Sequence, residues 1–297
     1  MIRLLTFIIS ISFLLFLQNA KAATWEKLYV KKSTDCFRSV REVASGGYVA
    51  AGYTSNFTPN DTDGLVLRMN TNGDTLWSLV YNGPSSKEDC FYKVVPTADG
   101  GFVLCGYSRS FGSGDNAFYM KLNSNGVIQW VKNWGGSGIE RAQDIVELPD
   151  GKFVLCGYTT SSPARYYDAF ILKIDQNGNT LWSKIFGGTA YDDANSLKLL
   201  ADGGFIMGGQ SNNQLYLIRT NSNGDAIWTQ SFGTSGIDNI ECVNYAQEGN
   251  GFILAGTTAG AGAGGEDGYL VRTDTGGVQI WAKTYGGELN DSRNSEI

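Results

Sequence analysis

Six residues stand out for chemistry because they interrupt an otherwise repetitive sequence: Phe57, Arg109, Phe111, Arg165, Tyr166 and Tyr167. Aromatic faces stack on sugar rings and guanidinium groups grip polar or anionic partners, so a rim that combines them suits a carbohydrate or protein ligand. They fall in the segments SNFTPNDT (55–62), RSFGSG (109–114) and SSPARYY (161–167). The same side chains have a second use, packing locally to order their own loops, and the sequence by itself favours that use.

A second set comprises five acids, Asp35, Asp89, Glu140, Asp192 and Asp291, each opening a repeated unit. A ring of carboxylates about an axis would hold a cation such as calcium, which prefers oxygen ligands. Recurrence in every unit argues instead for a local task, capping the turn that follows a glycine pair. Asp175-Gln176-Asn177-Gly178-Asn179 begins like a calcium loop, yet Phe186 stands at its twelfth position where a glutamate is required. A hairpin turn accounts for those residues.

The chain has no histidine and no C-x-x-C pair, which removes the usual zinc sites, His-based triads and imidazole bases together. No cofactor is implied by any motif. Five cysteines are present, Cys36, Cys90, Cys105, Cys156 and Cys242, and an odd number leaves at least one unpaired within the chain. Cys105 and Cys156 occupy the same place in two copies of VLCGY, where a small buried hydrophobe fits, so free thiols are expected.

The elements that must carry these residues are set by a long period. Trp25, Trp77, Trp130, Trp182, Trp228 and Trp281 are spaced by 52, 53, 52, 46 and 53 residues. One unit reads as four strands. The first starts at the acid, and a turn such as ADGG or PDGK reverses the chain, Asp-Gly supplying the positive φ of a two-residue hairpin. The second strand, as in FVLCGY, is almost continuously apolar and calls for burial on both faces. The third, AFILKID, alternates, with Phe170, Leu172 and Ile174 on one side. An Asn-Gly turn leads to the fourth, which carries the tryptophan. Units of about 50 residues with four antiparallel strands predict an all-β propeller. Period-2 patterning and glycine density exclude helical repeats.

The pattern D-x-A-x-S, DGGFVLCGYT, D-A-F-I-L-K-x-D, N-G-x-x-x-W and K-x-F-G-G resembles the β-propeller repeat of exported bacterial proteins, often of Bacteroidetes-type organisms. The Gly-x-x-x-Trp spacing, as in Gly178 to Trp182, is also similar to the tryptophan-docking motif of quinoprotein propellers, where the Trp packs between blades. The resemblance spans residues 24 to 297 and implies architecture more than activity. Counting strands gives five complete blades plus an incomplete sixth, because Trp25 lies in a fourth-type strand without its first three and ELNDSRNSEI begins a new first strand. Two readings follow, a truncated larger propeller or a five-blade ring with frayed ends.

Residues 1–22, with Arg3, an apolar run from Leu4 to Leu17 that is short for a bilayer-spanning helix, and Ala20-Lys21-Ala22, read as a secretory signal peptide. Its removal leaves the propeller at 23–297 and shifts the formal charge from −6 to −8, against a nucleic-acid or anionic-membrane partner. Variable loops join strand two to strand three and strand four to the next blade, and all lie on one face, while the short turns of the opposite face leave little room for a site. The expectation is an exported, secreted or cell-surface, non-catalytic binding or scaffold module for carbohydrate or protein, monomeric or part of a longer chain. The competing classes are a quinoprotein-like enzyme, which would be expected to carry adjacent cysteines that this chain lacks, a glycan-active enzyme, which would need two acids outside the repeat, and a structural spacer of a larger surface protein.

Overall fold

The computed structural model describes residues 26–29, 34–55, 62–112, 114–161, 166–246 and 250–291. Among them there are twenty strands and no helix. The first blade is β1 (Thr34–Glu42), β2 (Tyr48–Ser55), β3 (Thr62–Met69) and β4 (Thr75–Tyr81); the second is β5 (Asp89–Pro96), β6 (Phe102–Ser108), β7 (Asn116–Leu122) and β8 (Ile128–Trp134). The third is β9 (Glu140–Glu147), β10 (Phe153–Thr159), β11 (Asp168–Ile174) and β12 (Thr180–Phe186), and the fourth is β13 (Ser196–Leu199), β14 (Phe205–Ser211), β15 (Gln214–Thr220) and β16 (Ala226–Phe232). The fifth is β17 (Asp238–Tyr245), β18 (Phe252–Thr258), β19 (Asp267–Thr273) and β20 (Gln279–Tyr285). Each blade is a separate antiparallel sheet in sequence order, as expected. First strands of consecutive blades lie beside one another, β1 by β5, β5 by β9, β9 by β13 and β13 by β17, and so surround an axis.

The turns follow from local hydrogen bonding. Asn70 Oδ1 accepts the amides of Asn72 and Asp74, both at 2.9 Å, and Asn123, Asp175, Asn221 and Asp274 repeat the arrangement in the other blades. The Asp175 carboxylate is therefore occupied by its own turn, which disposes of the calcium-loop resemblance. The opposite hairpins hold three residues, not two: Thr97 pairs with Gly101 across Ala98, Asp99 and Gly100. The glycine still supplies the positive φ, +80° at Gly100, but as the last residue of the longer loop.

Apolar cores lie between sheets. Phe102, Leu104, Phe118 and Met120 of the second blade meet Val49, Ala51 and Val66 of the first, and equivalent clusters fill the next three junctions. The outer strands lock these junctions. Trp77 lies over the turn of the following blade and donates its Nε1–H to Ser124 O at 3.2 Å; Trp130 does the same to Gln176 O at 3.0 Å. The tryptophans are thus inter-blade packing residues. Two positions beyond Trp130 and Trp182 a lysine repeats the docking, Lys132 to Asn179 Oδ1 at 3.3 Å and Lys184 to Asp225 at 2.7 Å. Lys27, two positions after Trp25, reaches Asp74 in the same way, so residues 26–29 meet the first blade as an outer strand would. The face-to-face packing that joins consecutive blades is not repeated between the fifth and the first.

Inner strands are tied across the junctions as well. The residue four after the opening acid bonds the next blade: Ser39 Oγ accepts Val94 N at 3.3 Å, Asp144 accepts Leu197 N at 3.0 Å, and Ser196 Oγ accepts Val243 N at 3.1 Å. At the second junction Lys93 pairs with the buried Asp144 at 3.0 Å.

All five cysteines are free thiols, as expected, with Cys36, Cys90, Cys105 and Cys156 buried and Cys242 exposed.

Candidate functional site

Asp89, Glu140, Asp192 and Asp291 act as caps. Asp89 accepts Gly83 N at 2.7 Å, Glu140 accepts Gly136 N at 2.8 Å and Asp192 accepts Gly188 N at 3.1 Å. Asp238, which the sequence pattern passed over because Gly233-Thr234 replaces the glycine pair, accepts Thr234 N in the fifth blade. Fixed individually in this way, the acids form no shared ring, and among the described residues no cluster of three or more metal-ligating side chains is arranged around a cation.

The loop residues separate into three groups. Phe57 and Arg165 lie outside the described residues. Phe111 stacks on Phe118 at 5.9 Å and closes the core between the first two blades, while Tyr166 is 57% exposed. Arg109 and Tyr167 join networks around the axis. Arg109 donates from Nε to Asp115 at 2.6 Å and pairs with Glu88 at 2.5 Å; Tyr167 packs on Tyr158 at 5.0 Å and on Tyr191 at 4.7 Å.

The concave feature that the repeat builds is an axial channel of about 630 Å³. Its wall includes one matching position from each unit, three residues after the opening acid: Arg38, Tyr92, Gln143, Asn195 and Glu241. The apolar residue between acid and wall position, such as Phe91 or Ala142, is buried, so alternation along the strand turns the third residue inward to the axis. The five blades supply a guanidinium, a phenol, two amides and a carboxyl there. This is the signal the sequence held: an invariant frame with one freely varying inward position.

A smaller recess of about 250 Å³ adjoins the channel, lined by Arg38, Tyr53, Glu88, Tyr92, Tyr107 and Arg141. Arg38 stands over Tyr53 and Tyr92, with Cζ 5.7 and 5.4 Å from the ring centroids. Arg141 lies 4.1 Å over the Tyr107 ring and donates to Tyr92 Oη at 3.1 Å. Its orientation is set by Asp115, 3% exposed, which accepts Arg141 Nε at 2.7 Å and also holds Arg109. Guanidinium over an aromatic face is attractive by about 0.5–2 kcal/mol.

The opposite wall is acidic. Asp193 accepts Gln210 N at 2.8 Å, and Asn195 Nδ2 at 3.2 Å. Burial, reinforced by the charge of Glu241, raises the Asp193 carboxyl to about 7, and burial raises Glu241 as well. Burial likewise lifts the phenols of Tyr92 and Tyr107 above their usual range, so the rings are neutral hydroxyl donors at neutral pH.

A wider hollow, about 830 Å³, opens on the opposite face among the turns near Trp130, Glu147 and Gln176. The expectation that short turns leave little room there is corrected: neighbouring turns splay apart although each is short. Its residues are repeat hardware already engaged, Trp130 with Gln176, and Asp99 with Lys121 at 2.8 Å.

No family model matches this chain, and no curated protein matches it. Solved structures do. A putative 6-phosphogluconolactonase from Bacteroides fragilis superposes with a TM-score of 0.50 at 14% identity, over 83% of this chain and 70% of that one. A member of the DUF4221 family from Bacteroides vulgatus gives 0.46 at 9% identity, over 84% and 82%. A eukaryotic initiation factor gives 0.44 at 10%, covering 84% of this chain, which spans only 55% of that structure's length. At such identities the likeness is one of fold, and with five four-stranded sheets around an axis the fold is a β-propeller.

Proposed function

We propose that this chain is an exported, non-catalytic binding module that takes a carbohydrate in its axial channel. The supporting observation is the joint presence, around one cavity, of tyrosine faces at Tyr92, Tyr158 and Tyr191 and of the amides Gln143, Asn195 and Asn239. Sugars offer apolar ring faces with polar edges, and neutral phenols together with amides match both. The channel volume lies in the range of small-ligand sites. Export rests on the leader at residues 1–22, outside the described residues, and is tested by sequencing the N-terminus of the protein recovered from the culture medium or cell surface. For binding, the purified chain is applied to an array of oligosaccharides beside the Tyr158→Ala and Tyr191→Ala variants. Wild-type binding that both variants lose supports the reading, and equal profiles, or no binding at all, end it.

A second reading has its own observation. Asp193 and Glu241 stand outside the repeating caps, share the channel, and have raised carboxyl pKa values, the arrangement a glycan-active enzyme would use. Product release from oligosaccharides that disappears in both Asp193→Asn and Glu241→Gln would favour it over binding alone.

A further inference from the structure

The charges of the channel are segregated by blade, and the segregation is uncompensated on one side. The first blade presents Arg38 and Arg41, and both line the cavity. The other basic side chains near the axis are satisfied: Lys93 by Asp144, Arg109 by Glu88 and Asp115, Arg141 by Asp115. Arg38 and Arg41 pair with no carboxylate among the described residues; Arg38 rests on two tyrosine rings and Arg41 donates to the carbonyl of Val40 at 2.8 Å. Asp193 and Glu241, which accept only from amides and have no cationic partner among the described residues, belong to the fourth and fifth blades.

We infer that the channel selects sugars that carry an anionic substituent, seating the anion on Arg38 and Arg41 and the hydroxyl groups against Asn195, Asn239 and Glu241. This rests on the carbohydrate reading above and makes it narrower. A guanidinium presents its donors as a planar fork that matches carboxylate, sulfate or phosphate oxygens with two parallel hydrogen bonds. Tyr53 and Tyr92 both lie against the Arg38 guanidinium and so reduce the rotamer freedom that binding would otherwise consume. The amides of the far wall donate to and accept from hydroxyls, and its carboxyl oxygens accept from them, whereas an anion would be repelled by those oxygens. One pole of the ligand should therefore be charged and the rest of it polyhydroxylated.

The test uses the full chain and a titration panel of matched length: neutral oligosaccharides, uronate-containing ones, sulfated ones, and a polyglutamate peptide as an anion that is not a sugar. Uronates or sulfated sugars should bind at least about tenfold tighter than neutral ones, with the margin lost in Arg38→Gln and only partly restored in Arg38→Lys, which keeps the charge and loses the fork. Which of the two anionic groups binds better identifies the anion. Thermal melting should show both variants folded, with Arg38→Gln losing at most the small stabilisation of the two ring contacts. Neutral sugars binding as well as anionic ones, with dependence on Tyr158, would overturn this inference and leave the carbohydrate reading standing. Polyglutamate binding as tightly as the uronates, with the same dependence on Arg38, would keep the anion seat and overturn the sugar. Binding of none overturns both.

Discussion

The buried carboxylate of Asp115 joins two blades by holding Arg141, whose Nε donates to it at 2.7 Å from the first strand of the next blade. The same carboxylate holds Arg109 on its other oxygen at 2.6 Å. Replacing it by Asn keeps the shape and removes the charge that both guanidinium groups face. Asp115→Asn should cost about 2–3 kcal/mol of stability, read as a lower urea midpoint by tryptophan fluorescence. An unchanged midpoint would show that the ion pairs contribute nothing net.

Asp193 gives the channel a pH signature. In an unfolded chain an aspartate ionises near 3.9, whereas the folded protein holds this one to about 7 because it is buried and faces Glu241, with Asp192 adding to the effect and the Gln210 amide opposing it. Between the two values the folded state keeps a proton that the unfolded state has released, so stability falls as pH rises from about 4 to about 7 and then levels. Asp193→Asn removes that contribution: it should match the wild type near pH 4 and exceed it near pH 8, with a residual slope from Glu241. Parallel pH profiles for the two proteins would refute the assignment.

Two turn glycines form a matched pair. Gly151 and Gly178 both have left-handed backbones, φ +76° and +79°, but a methyl group on Gly151 meets nothing within 4 Å, while one on Gly178 would lie 2.8 Å from Lys132 and 3.0 Å from the Trp130 ring. Gly151→Ala should cost about 1 kcal/mol from backbone conformation alone. Gly178→Ala should cost that plus about 1–3 kcal/mol for crowding the tryptophan junction. Equal losses in urea titrations would mean that the Trp130 contact yields freely.

Thiol counting checks the core. A water-soluble disulfide reagent should modify Cys242 alone in the native protein and all five cysteines after unfolding without reductant. Burial drives the Cys90 thiol up to about 12 and those of Cys105 and Cys156 well above their usual value, so in the folded state these positions hold almost no reactive thiolate. Fewer than five thiols in the unfolded chain would reveal a disulfide.

The architecture was legible because its demands repeat. Trp77, Trp130 and Trp182 each cover the turn glycine of the blade that follows, so every blade needs the same residue at the same distance. Capping by Asp89, Glu140 and Asp192 was readable on the same ground. The site was harder to read. Arg38, Tyr92 and Gln143 look like noise within any single strand, and they become a set only when the five units are aligned on their opening acids and the strand alternation is followed inward. Loop variability drew attention to Phe111, which the fold uses for packing against Phe118, yet it also located Tyr167, which lies against Tyr158 of the channel wall. Asp115 gave no signal, because its importance lies in two arginines from different segments that only the tertiary structure brings to it.

The ties between inner strands, Ser39 to Val94, Asp144 to Leu197 and Ser196 to Val243, have a mechanical side. Each lies one residue from a wall position, so adjacent blades cannot shear along the axis without breaking a hydrogen bond beside the cavity. The bore at these junctions is therefore held by the side chains of Ser39, Asp144 and Ser196 on the neighbouring backbone, independently of what the wall residues are. A lineage of such chains can exchange Arg38, Gln143 or Glu241 for other side chains and change what is recognised while the gauge of the passage stays fixed, so that bulk is screened first and chemistry second.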